Sequence, residues 1–457
     1  MTVVKFPDPE PVILSPEFSE DALALEFTAR HKHELRYCAQ WGTWLGWDGT
    51  RWKSEKTLRA FDLARAVARD FANLAKSKKI ADAKTVAAIE RLARSDRRHA
   101  AAVDIWDTDP WLLNTPGGMV DLHTGTLLPH DPERYITKIT AVAPADQLDC
   151  PLWLKFLHDA TGGDKELIRF LRQWAGYCLT GDTREHALLF AYGPGGNGKT
   201  VWLNTMAGIL ADYAKNAPME TFAASQSDRH PTDLAMLKGA RMVCASETEE
   251  ERAWAEVRIK QLTGGDTIAA RFMRQDFFEY RPQFKLTVIG NHKPVLRNVG
   301  EAERRRFNVV PFTRKPARPD KELETKLKAE WPAILRWMIE GCLDWQQNGL
   351  TRPQIVIAAT ETYFSEQDTL RHWLEDSCET GPHTSDTQAV LFKSWTDYAI
   401  AAGEKPGTKK SFTQTMHDRY GFEPVKHTPG SNAKRGFLGV QVRPADTSSQ
   451  WQNRRDH

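Results

Sequence analysis

The residues best suited to chemistry sit in one octapeptide, GPGGNGKT, from Gly193 to Thr200. Its glycines let successive backbone N–H groups turn inward, and such a concave run of donors cradles phosphate oxygens. ALLFAY (Ala187–Tyr192) precedes it as an apolar run of strand length, and TVWLNTMAGIL comes after it with a helical pattern. Strand–loop–helix is the context this motif requires, and the helix N-terminus adds a favourable dipole. The spacing predicts that Gly193, Pro194, Gly195, Gly196, Asn197, Gly198, Lys199, Thr200 and Val201 hold a nucleoside triphosphate. Lys199 takes the β- and γ-phosphates and Thr200 ligates Mg2+. A phosphate cradle alone does not say what the energy is used for.

Three further segments supply groups that such a site needs. In ARMVCASETEE, Met242–Ala245 read as a buried strand with carboxylates directly at its end. A P-loop NTPase puts its Mg2+-holding, water-polarising carboxylate there; Glu247 is the first candidate and Glu249 the second. In FKLTVIGNHKP, Leu286–Ile289 read as another strand, and Asn291 just past it could orient water or touch the γ-phosphate. Ligands collect at the carboxyl ends of such sheets. In GEAERRRFNVVPF, Arg304, Arg305 and Arg306 precede an apolar run. An arginine supplied to a neighbour's γ-phosphate would stabilise transition-state charge; a solvated basic turn is the plainer reading.

Between the acidic strand and the Asn strand lies IKQLTGGDTIAARFMRQDFFEYRPQFKL (Ile259–Leu286). Thr267–Met273 and Phe277–Tyr280 are expected to pair as a hairpin with Arg274 and Gln275 near its tip. Carrying Arg271 and Arg274, it could grip a nucleic-acid backbone, or it could be ordinary basic surface.

The elements that must position these groups belong to a chain of 457 residues, enough for about two to four domains. Net charge is +2, so any nucleic-acid contact must come from local patches and not from a global field. Cys38, Cys150, Cys178, Cys244, Cys342 and Cys378 are scattered without a CxxC, which fits a reducing cytosol better than a disulfide framework. His31, His33 and Cys38 lie close in sequence, but no fourth ligand has metal-site spacing. No signal-like or membrane-spanning apolar run occurs, so no membrane partner is expected.

Before the octapeptide, WLGWDGTRW (Trp44–Trp52) has Asp48-Gly49 between aromatic flanks, a hairpin signal. Trp41, Trp44, Trp47 and Trp52 could stack on bases or could pack a small core. Leu58–Ser77 and Ala81–Ala102 have helical spacing, and LLNTPGGMVDLHTGTLLPH (Leu112–His130) reads as short strands. Two amphipathic helices are expected from Pro151 to Thr180, the second capped by Asp164. Pro332 marks a helix start within Lys321–Gln347. The C-terminal part has a helical segment, Ser411–Tyr420, then two short strands, an order that suggests a winged helix. Lys405, Lys409, Lys410, Arg419, Lys426, Lys434 and Arg435 make it locally basic, suited to phosphate contacts. A lid or oligomerisation module with a solvated basic face is the alternative.

GPGGNGKT, SETEE, KQLTGGDTIAARFMRQDFFEY, IGNHKP and the arginines before VVPF together resemble the superfamily 3 helicases. Within these the pattern is most similar to the helicase portion of phage, plasmid and poxviral primase–helicases. NTPGGMVDLHTG resembles an element of the domain preceding the motor in those proteins. The resemblance covers roughly residues 41 to 312. It implies an α/β fold: an AAA+-type P-loop ATPase core with an N-terminal mixed α/β domain and a C-terminal winged-helix-like domain. It implies Lys199 and Thr200 at ATP and Mg2+, Glu247 as the acidic motor residue and Asn291 as the sensor. Arg305 and Arg306 become candidate arginine fingers, and Ile268–Phe278 the DNA-contacting segment. It implies a hexameric ring with ATP between subunits, working on single-stranded and duplex DNA in the cytoplasm of a phage or mobile-element host.

The expected division is an arm (1–25), an N-terminal domain (26–150), the ATPase core with preceding helices (151–320), a helical lid (321–365), the winged-helix-like domain (366–444) and a disordered tail (445–457). No acidic motif suited to two-metal nucleotidyl transfer precedes the motor, so a primase or polymerase partner would be a separate protein. An origin-binding initiator and a P-loop kinase remain the rival readings.

Overall fold

The computed structural model describes residues 17–224, 232–247, 253–273, 276–296, 300–316, 318–426 and 435–444. They fall into two compact units, Met1–Pro294 with Arg305–Ile357, and Val295–Arg304 with Ala358–His457.

The first unit begins with α1 (Glu20–His31), capped by Ser19, whose hydroxyl accepts from Ala22 N at 3.1 Å. β1 (Leu35–Cys38), β2 (Thr43–Trp47) and β3 (Trp52–Ser54) form an antiparallel sheet. The β2–β3 hairpin forms where Asp-Gly announces it, but its tip is Gly49–Thr50. Asp48 N donates to Arg51 O at 3.1 Å, and Asp48 Oδ1 accepts from the backbone N–H of Thr50 and Arg51, both at 2.9 Å. α2 (Arg59–Leu74) and α3 (Ala83–Ala93) come next. Leu23, Phe27, Trp44, Val67 and Ile89 close a core with them. β4 (Leu112–Thr115), β5 (Gly118–Asp121) and β6 (Thr126–Leu128) make a second antiparallel sheet, its first turn just Pro116-Gly117.

α4 (Pro151–Thr161) and α5 (Lys165–Tyr177) are the two expected helices, and Asp164 Oδ1 caps the second at 3.0 Å from Glu166 N and Leu167 N. Then come β7 (Leu188–Tyr192), α6 (Lys199–Leu210), β8 (Ala214–Asn216), α7 (Thr232–Ala235), β9 (Met242–Glu247) and α8 (Glu256–Thr263). β10 (Ile268–Ala270) pairs antiparallel with β11 (Phe278–Tyr280), so the expected hairpin is present. β12 (Lys285–Gly290), β13 (Phe307–Pro311), α10 (Leu323–Leu327) and α11 (Trp331–Asn348) complete the run, with Pro332 in the first turn of α11, while most of α9 (Glu301–Arg306), which precedes β13 in the chain, falls in the second unit.

The central sheet is parallel throughout, in the order β13-β7-β12-β9-β8. Every residue of β12 and four of five in β7 are buried, which is why these strands read as continuous apolar runs and not as alternations. All strands run the same way, so the residues after β7, β9 and β12 emerge at one edge.

Two buried cations brace this unit. Arg241 donates to the carbonyls of Leu179 (2.6 Å), Leu112 (2.7 Å) and Asp109 (3.2 Å), tying β4 to the core. Lys285 Nζ donates to the carbonyls of Thr180, Asp182 (3.2 Å) and Gln283 (3.4 Å).

The second unit holds most of α12 (Gln354–Glu366), then α13 (Thr369–Ser377), β14 (Cys378–Thr387), α14 (Gln388–Ala401), α15 (Lys409–Asp418), β15 (Glu423–Lys426) and β16 (Arg435–Val442). Its antiparallel sheet has the order β14-β16-β15. β14 is an addition to the helices-then-two-strands expectation. Its sequence, CETGPHTSDT, carries Gly381 and Pro382 and no apolar alternation, and the register with β16 shifts between Thr380 and Ser385. Backbone pairing with β16 sustains a strand that side-chain pattern does not announce.

Candidate nucleotide site

The glycine loop spans the gap between β7 and α6, as its sequence requires. Gly193, Gly196 and Gly198 have φ of +154°, +77° and +91°, where a side chain would strain the backbone. Gly193 is packed as well as turned: a Cβ there would collide with the Phe312 carbonyl and sit 2.6 Å from Asn197 Nδ2. Asn197 Nδ2 donates to that same carbonyl, and Gly193 N donates to Gly290 O at 3.3 Å. The loop is thus pinned to the ends of β13 and β12.

Lys199 lies inside the loop and is buried. Its Nζ donates to Gly193 O (2.6 Å), Asn197 Oδ1 (2.9 Å) and Pro194 O (3.1 Å). Burial holds its ammonium below the ordinary lysine range. The outer face of the loop is open: a Cβ on Gly195 or Gly196 would meet nothing within 4 Å, and Thr200 is exposed. Open backbone donors above a buried cation fit a polyphosphate, and the Thr200 hydroxyl suits a hard divalent ion.

A cavity of 660 Å³ lies against this loop, large enough for a nucleotide. Gly195 to Val201 form one wall; Ser246 and Asn291 bring in the ends of β9 and β12. Since β12 pairs with both β7 and β9, Asn291 stands one strand from the loop and one strand from the acidic segment. Glu247 ends β9 in register with Gly290. The Glu247 side chain, Glu249 and Arg274 lie outside the described residues, as does Lys434.

Phe156 and Asp159 of α4, with Arg314 and Arg318 beyond β13, also line the cavity. None was marked by the sequence, because they come from segments remote from the octapeptide and carry no motif spacing. Arg305 is exposed and Arg306 half-buried, and neither lines this cavity. The hairpin shows Phe272, Met273 and Phe277 to solvent, and the Arg271 guanidinium stands 4.8 Å over the Phe277 ring. In the second unit Lys409 and Lys410 are exposed in the first turn of α15, and Arg435 is exposed at the start of β16. Among the described residues no cluster of His, Cys, Asp and Glu could hold a metal, and no helix is long and apolar enough to cross a membrane.

Residues 24–162 match a family described as D5 N terminal like, and residues 191–306 match a family of unknown function, DUF5906. Curated relatives are "Putative helicase 022R" of Frog virus 3 (isolate Goorha), 25% identical over 292 residues, 58% of this chain and 30% of that protein. "Putative helicase L207/L206" of Acanthamoeba polyphaga mimivirus is 27% identical over 239 residues, 47% of this chain and 24% of that protein. "Putative helicase 121R" of Invertebrate iridescent virus 3 is 26% identical over 377 residues, 73% and 39%. The chain therefore spans only part of each of these relatives. Among solved structures, the apo NrS-1 C terminal region superposes with TM-score 0.52 at 10% identity, covering 92% of this chain and 99% of that one, a likeness of fold alone. The two family matches and the viral relatives together fit the phage and viral primase–helicase family.

Proposed function

We propose that the chain is an ATP-dependent DNA helicase of the superfamily 3 type, built on an AAA+-type P-loop core. It unwinds duplex DNA in the replication of a phage or mobile element, as a hexameric ring with ATP between subunits. One observation carries the reading: parallel strands bring the glycine loop, the Glu247 strand end and Asn291 to one edge of the sheet, against one cavity. Lys199 would exchange its loop acceptors for β- and γ-phosphate oxygens. Thr200 and Glu247 would hold Mg2+, which supplies positive charge to those oxygens when bound. Asn291 orients the attacking water. Arg305 or Arg306, off the chain's own cavity, serves the site of the next subunit.

The β10–β11 hairpin lies in sequence between β9 and β12, so motion at either strand end has a direct covalent route to it. Its exposed Phe272 and Phe277, with Arg271, suit a single strand, since aromatic faces take bases and arginine takes phosphate. The helix–strand–helix–helix–strand–strand order of the second unit fits a winged-helix-like DNA contact through Lys409, Lys410 and Arg435.

Strand displacement on 3′- and 5′-tailed duplexes, with ATP and with a nonhydrolysable analogue, tests the reading. Unwinding of unrelated duplexes with ATP alone is expected. The exposed basic residues of the separate C-terminal unit favour a second reading, an initiator that loads at an origin. A footprint confined to one sequence, without unwinding, would select it. ATP-dependent phosphorylation of an acceptor would select a kinase instead.

A further inference from the structure

The four tryptophans near the β2–β3 hairpin do not share one role. Trp44 and Trp52 are core residues, whereas Trp41 is 43% exposed. Trp41 sits on the β1–β2 turn, closed by Gly42 N donating to Ala39 O at 3.1 Å, and its ring packs 5.9 Å from that of Trp106. The ring is therefore braced by its neighbour while part of it faces water. It rims a concavity of 420 Å³ that Lys53, Lys138 and Lys215 also line. The carboxylate in its lining, Asp212, is already committed: it accepts from Arg51 and from Ile139 N at 3.2 Å. Lys53 and Lys215 are exposed, and among the described residues no ion pair involves any of the three lysines.

We propose that this concavity binds single-stranded nucleic acid, with a base against Trp41 and backbone phosphates on Lys53, Lys138 and Lys215. A braced, half-exposed indole beside uncompensated cations is the chemistry of sequence-independent strand binding. A duplex hides its base faces and cannot use Trp41. The proposal rests on the nucleic-acid reading above but needs neither ATP nor the β10–β11 hairpin.

The test uses the full chain without nucleotide. Anisotropy of a labelled oligo-dT of about twelve nucleotides gives affinity, and a 5-iodo-deoxyuridine version is photo-crosslinked and mapped. Trp41→Ala and the pair Lys53→Glu/Lys215→Glu should each weaken binding about ten-fold, and Trp41→Phe should retain most of it. Each lost phosphate contact should flatten the log–log salt slope by about 0.7. The crosslink should map to Trp41 in wild type and in Arg271→Ala alike. Oligo-dT and oligo-rU arms separate DNA from RNA, and binding of either supports the site. Unchanged affinity in both variants, crosslinks only elsewhere, equal competition by blunt duplex or displacement by polyglutamate would each overturn it. Loss of unwinding with the Trp41 crosslink intact would fault the helicase reading and leave this site standing.

Discussion

Lys199 Nζ donates to Asn197 Oδ1 at 2.9 Å within the same loop, while the Asn197 amide nitrogen donates to the Phe312 carbonyl at the end of β13. One asparagine thus holds the Lys199 cation at one end and the loop at the other. Lys199→Ala should abolish ATPase, by roughly a hundred- to a thousand-fold, with the protein still folded. Asn197→Ala should keep the cation but loosen its position, raising KM for ATP more than it lowers kcat. Steady-state ATPase with calorimetric nucleotide binding checks both. Full activity in Lys199→Ala would sink the proposed mechanism.

Glu247 and Asn291 sit at the ends of neighbouring strands, with Glu247 in register with Gly290. Groups placed there to act on water should matter to turnover more than to binding. Glu247→Gln and Asn291→Ala should lower kcat roughly a hundred-fold or more while nucleotide still binds. A rise in KM with kcat unchanged would remove both from the water-positioning role.

Arg305 and Arg306 do not line their own chain's cavity, so a role at the γ-phosphate requires a second subunit. Arg305→Ala and Arg306→Ala should separate the finger from its neighbour, one losing ATPase and the other keeping most of it. Mixing the inactive arginine variant with Lys199→Ala chains should restore part of the activity, because the latter still donate arginines. Mixed assemblies with no recovery would exclude action in trans.

Locality decides how much of the site is legible in the sequence. β7, β12 and Met242–Ala245 of β9 are buried on both faces, so their apolar runs stand out, and the loop and Asn291 stand out as the segments directly after β7 and β12. The hairpin shows itself through Gly264-Gly265-Asp266 and paired apolar runs. β14 does not, because its pairing with β16 is carried by backbone and not by side-chain pattern. Phe156, Arg314 and Arg318 reach the cavity from distant segments. Arg241 and Lys285 look like solvated charges in sequence, and only the assembled core reveals them as buried and bonded to carbonyls.

α5 and α11 touch backbone to backbone through two glycines. A Cβ on Gly176 would lie 2.6 Å from Cys342 Cα and closer still to its nitrogen, and one on Gly341 would lie 2.7 Å from the Arg172 carbonyl carbon. Neither glycine has positive φ, so packing alone is at stake. Gly176→Ala and Gly341→Ala should each destabilise the fold by about 1–3 kcal/mol, as overpacking does. Urea unfolding measures this. A midpoint equal to wild type in either variant would mean that the helices separate freely.

Lys285 gives a pH signature. Burial, assisted by the Arg241 guanidinium and opposed by Cys178, pushes its ammonium down to about 7, although three backbone carbonyls accept from it. Unfolded, the same group titrates near its ordinary 10.5. Between those values the unfolded chain holds a proton that the folded chain has released, so this residue makes stability rise with pH. The contribution is absent below about 7, grows by about 1.4 kcal/mol per pH unit above it, and levels off near 10.5. Buried thiols and phenols such as Cys178 and Tyr213 are pushed the other way, and they oppose the trend above pH 9. The clean measurement is therefore a difference: unfolding free energy of wild type minus that of Lys285→Met, from pH 6 to pH 9. Methionine removes both the buried charge and the donor to the Thr180 and Asp182 carbonyls, so the pH slope of the difference, not its sign, carries the test. The difference should be flat from pH 6 to about 7 and shift in wild type's favour beyond it. A gap that stays constant to pH 9 would mean that the carbonyl cage keeps Lys285 charged throughout.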